Sequence, residues 1–534
     1  MAFTESYWPA TEDGELFDWT VGDALREMAS RHPDRTALIE AVVDASARRR
    51  WTYAELLAAA EQTARALLSE FEPGDHIAVW SANCPEWVIL QFGIGLAGMV
   101  LITVNPAYKA SELEYVLKQS KARAVFHQTV YRGAAMADVV AEVLPGIEGC
   151  DQAFSIDAFD DFIARAGSSE RLPVVKSSDP VMIQYTSGTT GFPKGAMLHH
   201  HGIVNNSRLS AELRGAGDGT VDITCMPLFH TGGCVVGVLG TLQTGGTLVL
   251  LPEFEPEHYL DMIEQERGEF TLAVPTMLIA LLEAQAERAR DLSSLKVVMS
   301  GGSTVPVELV RKFENDLGVR FSIIFGQTET SPIITMGRLD DDPKDKSETL
   351  GRPIPQTEVR IINPDTGEVV PVGEKGELCT RGFLVMNEYF DMPEPTARTI
   401  DAEGWLHTGD LCSMDARGFF YIEGRLKDMI IRGGENIYPR EIEELLFSHP
   451  AIADVAVVGI PDERWGEQVG AFVRFESGES MNKDELAEYL QANLARHKVP
   501  KIWARVDEFP LTASGKIKKH ELAAMRDDGR FGEI

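Results

Sequence analysis

The eleven residues YTSGTTGFPKG, positions 185–195, decide how this chain is read. Their three glycines permit positive φ and close backbone approach, so successive N–H groups can point at one anion. Ser187, Thr189 and Thr190 add hydroxyl donors, and Lys194 adds a point charge. The apolar run VMIQY just upstream, positions 181–185, predicts a buried strand. That places the loop at a strand's carboxyl end, where α/β proteins bind ligands. The Walker loop of kinases and GTPases is excluded, because it needs Gly before the lysine and Ser or Thr after it. Here Pro193 precedes Lys194 and Gly195 follows it. A flexible surface turn is the plainer alternative, but such turns rarely run so long with a Pro-Lys-Gly stop.

Outward from this loop, helical and strand-like segments alternate over residues 20–350, the pattern of a parallel sheet flanked by helices. Residues 52–70 and 110–119 read as helices; 122–127, 247–251 and 296–300 read as strands. A polar stretch, 166–179, is expected to link two subdomains. Residues 351–424 turn Gly- and Pro-rich with short runs such as GELCTRG, suggesting a small β subdomain, and an α+β unit follows from 427. A length of 534 residues also calls for more than one domain. The uncharged stretch 87–104 reads as a buried helix running into the buried strand MVLITV rather than as a membrane span. Within it, GIGLAG (93–98) matches the dinucleotide fingerprint formally. A helix interior is the wrong context, so the glycines are read as close helix packing.

The formal charge of −32 argues against nucleic acid, since a duplex binder gains affinity from basic residues. One segment concentrates positive charge: Arg496, Lys498, Lys501, Arg505, Lys516, Lys518 and Lys519 lie against only Asp507 and Glu508. Its position favours nucleotide phosphates over a merely solvated face. Six cysteines without a C-x-x-C pair fit reduced thiols in a cytoplasmic protein. The acidic N-terminal run resembles neither a secretory signal nor a transit peptide. The triple His199-His200-His201 suggests a metal by composition only, because adjacent residues on a helix point in different directions.

Five further segments, PLFHTGG (227–233), FGQTET (325–330), WLHTGD (405–410), GRLKDMIIRGGENIYPREIE (424–443) and PLTASGKIKK (510–519), make the chain resemble the adenylate-forming superfamily. That superfamily includes acyl-CoA synthetases, amino-acid adenylation domains and firefly-type luciferases. The likeness covers about residues 25–522. Within the superfamily, the runs SGTTGFPKGAMLHHHGIVNNS and KDMIIRGGENIYP are similar to the medium-chain acyl-CoA synthetase family member 2 type. The resemblance implies an α/β fold: a large N-terminal AMP-binding domain, residues 1–426, made of two α/β subdomains plus a small β subdomain. A small mobile α+β C-terminal domain, residues 427–534, is implied to follow.

The implied reaction joins a carboxylic acid to coenzyme A through an acyl-AMP intermediate, using ATP and Mg²⁺. Thr186, Ser187, Gly188, Thr189, Thr190, Gly191 and Lys194 would cradle the phosphates. Glu329 would hold Mg²⁺, which takes few carboxylates and keeps water and phosphate oxygens for its other positions. Thr328 would donate to the α-phosphate, Phe325 and Gly326 would lie beside adenine, and Asp410 with Arg425 would bind the ribose. Lys516 would stabilise the charge that develops as the carboxylate attacks. Lys427 occupies the hinge position, and Gly433 and Gly434 would line the pantetheine tunnel. His230 would stand at the acyl-pocket wall as a gate, or as a packed histidine without that role. The rest of the pocket would be Thr231, Gly232, Gly233, Met299, Gly301, Gly302, Ser331 and Ile334. The expected partner is a carboxylic acid, without nucleic acid or a membrane span, and a homodimer stays open. A medium-chain aliphatic acid leads; an aryl or aryl-propenoic acid is the rival. Delivery of the acyl adenylate to a carrier protein is a third option. A non-catalytic nucleotide-binding regulator would not need Lys194, Glu329, Asp410 and Lys516 together.

Overall fold

The computed structural model describes every residue except 1–2, 167–170, 187–192, 303–304, 433–434, 463, 512–516, 528 and 533. Its contacts divide into two compact units. The larger comprises Trp8–Val359 and Thr380–His407, the smaller Met1–Tyr7, Arg360–Cys379 and Thr408–Ile534.

The larger unit holds two large sheets, besides the small hairpin Val130–Tyr131 with Ala134–Ala135. One runs in the order Glu388–Tyr389, Lys194–His199, Pro180–Thr186, Val100–Val104, His76–Trp80, Ala124–His127, Gln152–Ser155. Its last five strands are parallel and the first two are antiparallel additions at one edge. Val100–Val104 is buried along its whole length, as expected of a parallel strand covered on both faces. The second sheet has nine strands, parallel from Arg320–Gly326 through Val297–Gly301, Phe270–Leu272, Val221–Thr224 and Thr247–Leu250 to Thr36–Glu40. Antiparallel strands close both of its ends.

Helices follow their sequence signals closely. Tyr53–Leu68 starts on the Thr52 capping box with Glu55, and Ala110–Gln119 forms as expected. The helix Pro85–Leu96 carries the glycines of GIGLAG inside it. A Cβ at Gly93 would lie 2.7 Å from the Thr63 side chain, and one at Gly95 would lie 2.5 Å from Val21. They allow close helix packing, not nucleotide approach. Gly98 ends this segment at φ +68°, and the strand Val100–Val104 follows.

One expectation needs correcting. Residues 166–179 do not separate two sheets, because Pro180–Thr186 pairs in parallel with Val100–Val104 and extends the sheet built before the linker. The stretch is a crossover, and the strand's partner lies far away in sequence, where local composition carries no trace of it.

Residues 351–424 supply most of a five-stranded sheet in the order Tyr7–Trp8, Thr357–Ile362, Gly376–Gly382, Leu406–Met414, Phe420–Arg425. In the smaller unit the long hairpin Ile452–Asp462 with Gly466–Phe475 forms a sheet with Ile430–Arg432, Glu435–Ile437 and Ile502–Arg505. Helices Pro439–Phe447 and Lys483–Gln491 bury Ile442, Leu446, Leu486 and Leu490 in one core with Val455, Val457, Val469 and Ala471. Each helix uses side chains four apart on one face. Among the described residues no helix is long and apolar enough to cross a membrane.

Candidate active site

The strand Pro180–Thr186 delivers the glycine-rich loop, and Lys194 opens the return strand Lys194–His199. The loop therefore closes a β-hairpin, in which Thr186 pairs with Lys194 and the Thr186 hydroxyl donates to the Lys194 carbonyl at 3.4 Å. Both flanks are pinned from one helix: the Tyr185 hydroxyl donates to Gln119 Oε1 at 2.5 Å, and the Tyr115 hydroxyl donates to the Pro193 carbonyl at 2.8 Å. Ser187, Gly188, Thr189, Thr190 and Gly191 lie outside the described residues.

Glu329 sits in a single helical turn, Thr328–Thr330, just past the strand Arg320–Gly326. Gly326 cannot be replaced there, since a Cβ would fall 1.9 Å from the Pro332 carbonyl oxygen. Ser331, which follows the turn, is left-handed at φ +64°. The turn is clamped by the fully buried Asn206, whose amide donates to the carbonyls of Thr330 (3.3 Å) and Ile333 (2.8 Å) and accepts from Ile333 N–H (3.1 Å). Glu329 is thereby held nearly buried, at 8 % exposure. Its Oε1 accepts a 2.6 Å hydrogen bond from the Tyr389 hydroxyl, and its backbone carbonyl accepts from Met386 N–H. The Lys194 ammonium lies over the Tyr389 ring, 4.4 Å from its centre. Two predicted residues, 135 positions apart (329 − 194), thus meet around one unpredicted tyrosine. Burial, then the charge of Glu329, pushes the Tyr389 hydroxyl far above its ordinary pKa, so it remains a donor.

Among the described residues neither Lys194 nor Glu329 belongs to an ion pair. Among the described residues no hydrogen bond or ion pair engages the other Glu329 carboxylate oxygen, which suits a cation that takes a single carboxylate and otherwise phosphate oxygens and water. Phe325 and Thr328 are half-buried beside this turn, and Gly326 is exposed.

The predicted acyl-pocket residues occupy different environments. His230 is exposed, and its Nδ1 accepts from Gly232 N–H at 3.1 Å. Thr231 is buried and precedes the wide helical segment Gly232–Leu239, which has π-type hydrogen bonding. A Cβ at Gly232 would approach only side chains, those of His230, Met226 and Leu272, so this glycine faces a side-chain-lined space. Met299 packs with Leu272, Val236 and Ile333 in one apolar cluster that Met226 also joins. Gly233 and Gly301 answer to backbone crowding instead: a Cβ would lie 2.2 Å from the Pro227 carbonyl and 2.3 Å from that of Ile324. Gly302 is left-handed with open space around it, and Ser331 and Ile334 are fully buried. Sequence reading missed Met226 and Leu272, as it missed Asn206 and Tyr389.

In the smaller unit, Asp410 and Arg425 face each other on the antiparallel strands Leu406–Met414 and Phe420–Arg425, with Arg425 Nε 2.8 Å from Asp410 Oδ1. Asp410 is 2 % exposed, whereas Arg425 reaches solvent. Lys427 is exposed in the short turn Leu426–Asp428. Gly433, Gly434 and Lys516 lie outside the described residues. Much of the basic segment is engaged within this unit: Lys498 pairs with Glu441 and Lys519 with Glu443, both at 2.6 Å, while Lys518 and Arg505 pair with Glu521 and Asp507. The three histidines serve separate structural tasks. His199 caps the following helix through Gly202 N–H and contacts the Val385 carbonyl, His200 is buried against Val21 N–H, and His201 lies edge-on to Phe383.

The model of the AMP-binding enzyme family matches residues 25–390, and that of the AMP-binding enzyme C-terminal domain matches residues 441–516. The chain is 40% identical to YngI of Bacillus subtilis (strain 168), over 95% of this chain and 97% of that protein. It is 35% identical to the mitochondrial medium-chain acyl-CoA ligase ACSF2 of Mus musculus, over 97% and 89%. Among solved structures it is similar to ATP-bound MatB from Rhodopseudomonas palustris, with a TM-score of 0.86 and 28% identity over 96% of this chain and 99% of that one. It is also similar to the o-succinylbenzoate CoA synthetase MenE from Bacillus subtilis in complex with its acyl-adenylate intermediate, with a TM-score of 0.84 and 28% identity over 97% and 100%. With both family models matched along its length and relatives at 35–40% identity over nearly all of it, the chain belongs to the AMP-binding enzyme family of adenylate-forming acyl-CoA ligases.

Proposed function

We propose that this ligase activates a medium-chain monocarboxylic acid, with the Lys194–Tyr389–Glu329 corner as the place where the nucleotide's phosphates are received. Two anions must meet in the first step, and at about 4 Å two unit charges repel by roughly 4 kcal/mol at an effective dielectric near 20. Lys194 offsets that repulsion at the phosphates, and Lys516 does so at the attacking carboxylate. Glu329 would hold Mg²⁺ through its free oxygen, and the bound ion would supply charge neutralisation. Thr186, Ser187, Gly188, Thr189, Thr190 and Gly191 orient the phosphates, Thr328 donates to the α-phosphate, and Phe325 and Gly326 border the adenine. Asp410, a nearly buried two-oxygen acceptor held by Arg425, suits the ribose hydroxyls. For the second step the domain beginning at residue 427 rotates about Lys427. Gly433 and Gly434 then admit the pantetheine arm, whose thiol displaces AMP. Residence in the cytoplasm is supported by six cysteines that form no disulfide.

The observation that carries the reading is the meeting of Lys194 and Glu329 at Tyr389. The acid's class is supported by the apolar floor of Met226, Leu272 and Met299 beside Gly232, and by the similarity to ACSF2. An aryl acid is the second reading, favoured by the similarity to MenE. Pyrophosphate release over acids from acetate to palmitate, with benzoate and cinnamate types and with or without CoA, separates the two. Each buried methylene contributes about 0.8 kcal/mol, so kcat/KM climbs roughly three- to fourfold per carbon before the pocket fills, peaking at about six to ten carbons. A flat aliphatic series with much higher activity on a cinnamate-type acid would refute the medium-chain reading.

A further inference from the structure

Tyr389 belongs to none of the motifs from which the sequence assigns site residues, yet it touches both charged groups of the phosphate corner. It is 4 % exposed and fixed on every side. Its strand pairs with Lys194–His199 in the register Ala196 to Tyr389, and its N–H donates to Thr396 Oγ1 at 3.0 Å. The flanking Phe390 N–H donates to the Gly195 carbonyl at 2.8 Å, which ties the residue to the strand that Lys194 opens. The ring can hardly move independently of that strand.

A buried carboxylate and a nearby ammonium attract each other strongly where water is scarce. If Lys194 and Glu329 closed into a direct ion pair, each would neutralise the other and neither would be left for an incoming ligand. The observed arrangement differs. Tyr389 satisfies one Glu329 oxygen with a neutral donor and offers its ring face to the Lys194 ammonium, which a cation favours.

We propose that Tyr389 is a positioning residue that holds Lys194 and Glu329 apart, keeping the ammonium free for the nucleotide's phosphates and one carboxylate oxygen free for the metal. The inference rests on the reading of Glu329 as the metal's carboxylate and of Lys194 as a phosphate ligand. It assigns no chemical step to the tyrosine.

Two substitutions separate its two contacts. Tyr389→Phe retains the ring under Lys194 and removes only the donor; Tyr389→Leu removes both. The probe is Mn²⁺, whose binding to the full-length protein with α,β-methylene-ATP is followed by electron paramagnetic resonance. Metal-free affinity for the same nucleotide is measured alongside, and thermal melting verifies that each variant is folded. Tyr389→Phe should weaken Mn²⁺ about ten- to a hundredfold, the range expected for losing one hydrogen bond to a charged group, with metal-free nucleotide affinity within about twofold of wild type. Tyr389→Leu should weaken both. A residue that serves packing alone would shift the melting temperature without this split. Glu329→Gln is the control for the underlying reading. If it leaves Mn²⁺ affinity unchanged, Glu329 is not the metal's carboxylate and the inference falls with that reading. If Glu329→Gln weakens Mn²⁺ and Tyr389→Phe does not, the inference alone is overturned.

Discussion

Lys194 and Glu329 carry opposite charges at one buried corner, and neither is consumed by the other. Both were legible in the sequence because each sits in a short motif whose residue types suit phosphate or cation chemistry. Asp410 and Arg425 were legible for the same reason, and their strand pairing places them face to face. Tyr389 and Asn206 were not legible, since their partners lie 60 and 124 to 127 residues away and nothing local marks them. Lys516 is the residue whose role is most separable by experiment. It is assigned only to the first transition state, and one lost electrostatic donor of this kind typically costs about 10²–10³ in rate. Lys516→Ala should therefore reduce acid-dependent ATP–pyrophosphate exchange by about that factor, while thioester formation from supplied acyl adenylate stays within a few-fold. Equal losses in both half-reactions would remove Lys516 from the first step.

At the scale of elements, the helix His200–Leu213 does two jobs that its sequence hides. Asn206 on its inner face holds the Glu329 turn by three hydrogen bonds. Asn206→Ala would orphan three buried backbone groups, a loss of about 3 kcal/mol if each costs about 1 kcal/mol. The melting temperature should fall. Adenylation kcat should drop at least tenfold, because displacing a reacting group by about 1 Å can cost 10²-fold. A destabilised variant with wild-type kcat would show that the clamp does not position the turn. At the same helix's start, His200 accepts from Val21 N–H, and burial lowers its pKa from 6.5 to about 4. The unfolded chain thus takes up this proton first. The stabilising contribution is complete above pH 6.5, shrinks as pH falls through 6.5 toward 4, and is constant below that. Wild type should lose about 2 kcal/mol more than His200→Gln between pH 7 and pH 5, read from urea midpoints. Parallel pH dependence in the two proteins would place the titration elsewhere. Elements with strong periodicity, such as Ala110–Gln119, were readable locally; the crossover at 166–179 was not, because parallel pairing is decided by a distant strand.

For the whole molecule, the proposed cycle makes one chain perform two reactions in turn, and the segment around Lys427 is where they can be uncoupled. Lys427 is exposed in the single 3₁₀ turn Leu426–Asp428, a conformation whose typical φ of about −50 to −70° is also the one proline imposes. Lys427→Pro should therefore accept the present conformation at that residue. It also disfavours the helical conformation that Leu426, the residue before it, adopts in this turn, so the backbone freedom of the segment is restricted on both sides. Rotation about the hinge needs a change in those dihedrals, and a proline resists it. Acid-dependent ATP–pyrophosphate exchange should stay within about threefold of wild type while thioester formation from supplied acyl adenylate falls by 10² or more, the reverse of the Lys516→Ala pattern. An unchanged melting temperature would exclude misfolding as the cause. Normal CoA-dependent turnover in this variant would mean that the rotation, if the reaction uses one, pivots at another residue.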